Sequence, residues 1–291
     1  MGKALFLRKG EVHTAPSGSG GSGGSGGLPT IGTPLNNFTW AQIRSISDAG
    51  VAANYFSVGD TKTIVINGKV GLTTFYSLSI DVFILGFDHN ASVEGSNKIH
   101  FGMGKIGGVN VALCDSNYSE HDNASGAFCM NLTNDNTGGW SSSHMRKTVL
   151  GSDKAPASPT ANTLLSALPS DLRAVMKSIT KYSDNTGGGS NTASYVTATT
   201  DYLPLLAEFE VQGTRKYANS AEQNNQKQYE YYKAGNSKVK YRHNDTSSTA
   251  VWKLRSPRVT YDNAFCTVGI DGGTDVCAAG YSHGVAPAFA V

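Results

Sequence analysis

The chain has 291 residues, a formal net charge of +2 and only 16% charged residues. That length suffices for one large domain or two small ones, with a core that needs no covalent staple, and the near-neutral balance excludes the electrostatic footprint of a nucleic-acid binder or membrane-surface protein. The 34 glycines, set among Asn, Ser and Thr between apolar runs, point to a turn-rich fold rather than a helical bundle.

Residues 1–16, MGKALFLRKGEVHTAP, hold a four-residue apolar run in place of a signal-peptide h-region, so no signal peptide is read. Residues 17–27, SGSGGSGGSGG, are a flexible coil with a reach of about 18 Å. A peptide too short to fold, tethered in this way, suits an anchor that docks on another chain, with Leu5, Phe6, Leu7, Arg8 and Lys9 as its contacts. An expression tag with a synthetic spacer is the other reading of the same stretch. The globular domain is expected over 28–291.

Within that domain, FTWAQIRSISDAG predicts a helix: Thr39 and Gln42 form a capping box, Trp40, Ile43 and Ile46 share a face, and Gly50 ends it. Asn67-Gly68, between apolar stretches, predicts a hairpin turn, and FYSLSIDVFILGF continues as strand. Its DVFILGF run is far too short to cross a bilayer, so no membrane insertion is expected. A second helix is predicted from Ser170, with Leu172, Val175, Met176 and Ile179 on one stripe, and a third from Ser220, with Gln223 completing a capping box and Gly235 as the stop. AVWKLRSPRV, NAFCTVGI and GVAPAFAV read as strands, and no internal repeat is found. Helices scattered among hairpins make the fold class α+β.

The ordered set FSVGDTKTI, GFDHN, GGWSSSHMR, LPSDLRAVMKSITK, DYLPLLAEFEV, WKLRSP, NAFCTVGIDGG and GVAPAF resembles an uncharacterised domain family of phage, prophage and gut Firmicutes proteins, from about residue 38 to 291. The last three elements resemble the closing strands of a C-type-lectin-like fold, a scaffold shared with formylglycine-generating enzymes and phage receptor-binding proteins. The resemblance implies that Trp252 packs inward with its indole NH satisfied, that Arg255 holds a carboxylate or carbonyls, and that Pro257 ends the pairing of its strand. It also implies a virion surface protein made in the bacterial host cytoplasm: a fibre, decoration or tail-tip adhesin, oligomeric in its assembly, held to other virion proteins through residues 1–16 and displaying its domain to a host-surface glycan or protein. An enzyme on the formylglycine-generating-like scaffold and a purely structural capsid or tail component are the alternatives.

The chemistry-bearing residues are sparse. Seven histidines include His89 in DHN and His121 in EHD, with no HxH or HxxxH spacing. IDGGTD and SDNTGGG lack the order of a calcium loop, and the Glu-Pro-Asn and Gln-Pro-Asp elements of sugar-binding lectins do not occur. No metal and no cofactor is therefore expected. Cys114, Cys129, Cys266 and Cys277 show no CxxC pattern and read as free, mostly buried thiols, although Cys266 and Cys277 flank a turn that could join them or, in the enzyme alternative, make a thiol pair. GYSHG, at 280–284, lacks the strand and helix of a nucleophile elbow. The segments 182–200, 236–249 and 271–284 use the Asn, Ser, Thr, Gly and Tyr vocabulary of recognition loops, which makes Tyr231, Tyr232, Arg242, His243, Tyr281 and His283 the binding candidates.

Overall fold

A computed structural model describes residues 28–119 and 126–291. The anchor peptide with Leu5, Phe6, Leu7, Arg8 and Lys9, the glycine-serine tract and His121 lie outside the described residues.

Helix α1 (Trp40–Asp48) begins as its sequence dictates. Thr39 Oγ1 accepts from the Gln42 amide at 3.2 Å, Gln42 Oε1 accepts from the Thr39 amide at 2.9 Å, and Trp40, Ile43 and Ile46 are buried. After α2 (Ala52–Tyr55) come β1 (Thr61–Val70) and β2 (Thr73–Phe87), then α3 (Ala91–Glu94), β3 (Ile99–Ile106) and β4 (Val109–Ala112). The middle of the chain holds α4 (Gly139–Ser142), α5 (Leu164–Ala167), α6 (Ser170–Arg173), β5 (Ile179–Asp184) and β6 (Val196–Asp201). It closes through α7 (Glu208–Gln212), α8 (Glu230–Lys233), β7 (Lys240–Arg242), β8 (Asp245–Ala250), β9 (Trp252–Pro257), β10 (Ala264–Val268), β11 (Thr274–Ala278) and β12 (Ala288–Ala290). The architecture is mixed α+β.

Among the described residues the strands form three sheets: a large one ordered β1-β2-β3-β4-β7-β8, a three-stranded β11-β10-β9, and the pair β5-β6. The chain's last strand returns to the large sheet, where β12 runs antiparallel to β3 with Ala290 opposite His100. Trp40, Phe101 and Phe289 meet beneath it, Trp40 edge-on to the other two rings at 5.5 and 6.0 Å. A second apolar cluster surrounds Trp252 and Leu254, with Phe83, Tyr229 and Tyr231. Trp252 is fully buried and its indole NH donates to the Lys238 carbonyl at 3.0 Å, so this ring is a core strut with its one polar atom satisfied.

Three local expectations are corrected. The β1–β2 hairpin turns at Gly71-Leu72, between paired Val70 and Thr73, while Asn67-Gly68 forms a bulge inside the strands. There Asn67 Oδ1 accepts from the Ser77 amide, so the side chain secures a register shift instead of a reversal. The helix from Ser170 stops at Arg173, because Lys177 is drawn into a bridge with Ala290 and Ile179 into the β5–β6 ladder. The helix predicted from Ser220 to Gly235 is broken into a 3-10 turn, Glu222–Asn225, and α8: Glu222 and Gln226 spend their side chains on the Asp184 amide and Tyr182 carbonyl of β5. Gln223 makes no capping box.

Candidate functional site

The densest ionisable assembly is sealed inside the fold. Arg255 on β9 makes a two-bond fork with Glu210 on α7, at 2.5 and 2.9 Å, and also donates to Ser183 Oγ at 2.7 Å and the Leu205 carbonyl at 2.9 Å. Lys181 on β5 donates to Glu210 at 2.9 Å, to Glu94 on α3 at 2.8 Å and to the Tyr229 hydroxyl at 3.0 Å. Glu210 further accepts from the Ala207 amide at the start of its own helix, so one carboxylate caps α7 and binds both cations. His89 stacks on Tyr229 at 3.6 Å, and His100 Nδ1 lies 3.8 Å from Glu94. Arg255 thus holds a carboxylate and carbonyls, as the resemblance implied.

Burial works to raise the Glu210 carboxyl, but Arg255 and Lys181 outweigh it and hold it below the usual carboxylate range. Burial raises Glu94. Burial, with the Lys181 cation beside it, pushes His89 down to about 3, so its ring is neutral at ordinary pH. Glu210 is therefore the ionised carboxylate that faces both cations, with the Glu94 carboxyl beside Lys181. Ligand atoms of His89, Glu94 and Glu210 do lie within 4.8 Å of one another. The Lys181 ammonium, however, already donates to both carboxyl groups, and a divalent ion would have to sit beside that buried cation. The arrangement fits a structural ion cluster better than a metal centre.

The sequence-derived binding candidates separate into three groups. Tyr231 and Tyr232 are core residues, 4% and 5% exposed, because α8 turns both rings inward; Tyr231 packs on Phe83 at 4.6 Å. They present no face to a ligand. Arg242 lies 4.2 Å over the ring of Tyr118, which packs edge-on against His283 at 5.5 Å, and Tyr281 lies 6.3 Å from His283. These three candidates do come together, around a tyrosine the sequence reading passed over, although the same polar vocabulary surrounds it in DSNYS. His243 points elsewhere: its Nδ1 accepts from the Cys114 amide at 3.1 Å and its ring meets Phe75. The proposed recognition loops are also less irregular than expected, since β6, β7, β8 and β11 run through them.

The four cysteines are free. Cys266 pairs with Val276 and Cys277 with Phe265, so the two thiols project from opposite faces of the β10–β11 ladder. Neither a disulfide nor a thiol pair can form between them. Cys277 instead meets His283, Sγ to Nε2 at 2.8 Å. The Ser282 hydroxyl of the GYSHG stretch donates to Asp115 at 2.6 Å, which uses it structurally.

A concave surface lies elsewhere, at positions that no binding motif in the sequence marks. A groove of about 510 Å³ runs between the start of α1, the outer edge of β1 and the start of α6, lined by Asn37, Thr39, Lys62, Thr63, Val65 and Asp171 among others. Its floor is set by Lys62, whose ammonium donates to the Phe38 carbonyl at 2.6 Å and lies 5.3 Å from the Trp40 ring. Asn36 Oδ1 accepts from the Thr63 amide at 2.9 Å and so caps part of an edge strand that would otherwise present bare backbone. Asn37, Thr39, Thr63 and Asp171 remain exposed. Hydroxyls, an amide, an ammonium and a carboxylate thus converge over an apolar patch at Val65 and Pro169.

Residues 129–291 match the family model described as Domain of unknown function (DUF6273). That span starts at Cys129, so the β1–β2 hairpin and most of the groove lie before it. No curated protein and no solved structure matches the chain. With more than half of its residues inside that match, the chain belongs to the DUF6273 family.

Proposed function

We propose that the chain is a binding domain of a phage virion surface, and that its groove takes a host-surface glycan. The observation that carries this reading is the groove itself: about 510 Å³ of open concave surface lined by hydroxyls, an amide and one carboxylate beside an apolar patch, the size and chemistry of a site for one or two sugar units. The largest ionisable cluster supports a binding role over an enzymatic one, since its charges are spent on each other and buried. The lectin-like scaffold and the phage setting rest on the resemblance of WKLRSP, NAFCTVGIDGG and GVAPAF, and attachment through residues 1–16 rests on the peptide and tether layout.

A glycan array probed with the full chain tests the reading, followed by titration of the best hit against Asn37→Ala and Asp171→Ala. Each substitution removes an exposed polar group and is expected to weaken binding about tenfold, the loss of one or two hydrogen bonds. An array without hits, or a hit unaffected by both substitutions, overturns the glycan assignment and favours a structural virion component. For the anchor, deletion of residues 1–16 is expected to remove the protein from purified particles while leaving its melting temperature unchanged.

A further inference from the structure

We propose that Arg258, flanked by Tyr217 and Tyr261, forms a second binding site for saccharides that carry an oxyanion, either a carboxylate or a phosphate. The site shares no residue with the groove. The guanidinium carbon of Arg258 lies 4.1 Å over the Tyr261 ring and 5.4 Å over that of Tyr217. Lys216 places its ammonium 4.8 Å from the same Tyr217 ring, so two cations share one aromatic platform. Arg258 is half-buried, Lys216 is exposed and Tyr261 is 55% exposed. Arg44, Arg146 and Arg255 each pair with a carboxylate. Arg258 does not: its Nε donates to Thr260 Oγ1 at 2.9 Å, and its two terminal nitrogens have no hydrogen bond and no ion pair among the described residues.

Buried side chains fix both segments that carry these groups. The Asn136 amide group, fully buried, donates to the carbonyls of Arg258, Tyr261 and Ala264 at 2.9 to 3.1 Å, which pins the loop after β9 from beneath. The Glu208 carboxylate, also fully buried, accepts from the backbone amides of Lys216, Tyr217 and Ala218 at 2.7 to 3.1 Å. The Val259 amide donates to the Tyr217 carbonyl at 3.1 Å and joins the two segments. A surface held in this way offers its groups to a ligand without first having to order its backbone.

The chemistry of the stack sets the class of ligand. The free end of a guanidinium presents paired N–H groups that match two oxygens of a carboxylate or a phosphate. The exposed Tyr261 ring beside it gives the C–H groups of a sugar ring a flat apolar face. Exposed carboxylates border the two cations, with Asp275 acting on Lys216 and Asp262 following Tyr261 in the chain. The patch therefore suits one or two oxyanions rather than an extended polyanion.

The test is calorimetric titration of the full chain with trigalacturonate and with glucose 6-phosphate, set against maltotriose as a neutral sugar and triglutamate as an acidic peptide. At least one anionic sugar is expected to bind about tenfold or more tightly than both controls, and the one that does so assigns the carboxylate or the phosphate. Arg258→Lys keeps the charge but loses the fork, and should weaken that binding about tenfold. Tyr261→Ala, which removes an exposed ring, should weaken it about fivefold, and decides the matter if Arg258→Lys does not fold. Anionic sugars that bind no better than maltotriose, triglutamate that binds as tightly as the better of them, or a folded variant of either kind that binds like the parent overturns the proposal.

Discussion

Glu210→Gln is the sharpest test of the buried ion cluster. The carboxylate receives two bonds from Arg255, one from Lys181 and one from the Ala207 amide, all inside the core. Neutralising it leaves Arg255 without its ion-pair partner, since Glu94 pairs with Lys181 and Glu222 acts on Arg255 without a direct bond to it. Breaking such a pair from one side costs about 3–5 kcal/mol. For a chain of this size that is a fall in Tm of about 10 °C. Urea unfolding followed by tryptophan fluorescence measures the loss, since Trp140 and Trp252 are buried. The double variant Glu210→Gln/Arg255→Met removes opposite charges together, although it leaves the Leu205 carbonyl and Ser183 hydroxyl without their donor. Its cost should fall short of the sum of the two single losses by at least about 2 kcal/mol, the coupling expected of neighbours in one network. A single-variant loss below about 1 kcal/mol, or strict additivity in the cycle, would refute the claim that these charges are held in place by one another.

His89 should confer acid sensitivity. Its folded value, about 3, lies below its ordinary one, so its contribution is present above pH 6.5 and is lost as pH falls toward 3. One unit below 6.5 the loss is about 1 kcal/mol. Glu222, raised by burial to about 7, runs the other way: its contribution is present below its ordinary value near 4.5 and fades as pH rises through 7. The two partly cancel in the parent, so the informative comparison is His89→Phe, which keeps the stack on Tyr229. Its stability between pH 6.5 and 5.5 should rise relative to the parent by about 1 kcal/mol, and parallel pH curves for the two proteins would contradict the assignment. At the hairpin, Gly71 has φ +56° and a Cβ there would fall 1.9 Å from the Gly126 carbonyl oxygen, whereas Gly107, also at φ +56°, faces open space. Gly71→Ala should therefore destabilise by at least about 2 kcal/mol more than Gly107→Ala in the same unfolding assay, and equal losses would show that the close approach is not maintained.

Local rules sufficed wherever an element's stability comes from residues a few positions apart. The capping box at Thr39 and Gln42, the buried stripe of α1, and the strand character of WKLRSP and GVAPAFAV were all legible, because each is set by side chains that face one another in the nearest turn or on alternate positions. The same rules failed where distant partners competed. Asn67-Gly68 has turn chemistry, but pairing on both sides carried the strands past it to Gly71. Leu172 to Ile179 has helical spacing, but β6 and β12 claimed its second half as strand. Tyr231 and Tyr232 belong to a polar-looking stretch, yet the second apolar cluster took both rings.

Composition and local pattern thus determined the α+β class, while the inward packing of Trp252 and the carboxylate held by Arg255 were implied by the resemblance of WKLRSP and are seen in the fold. Only the tertiary structure decided the sites. The ion cluster draws on residues 89, 94, 100, 181, 210, 229 and 255, contributed by separate strands, helices and loops, and the groove joins residue 37 to residue 171. Cys277 was conspicuous in the sequence, but whether it faced Cys266 or His283 depended on strand register, and a one-residue slip in β10–β11 would reverse the answer. Register is settled by the whole sheet and the core beneath it, which no window of neighbouring residues contains.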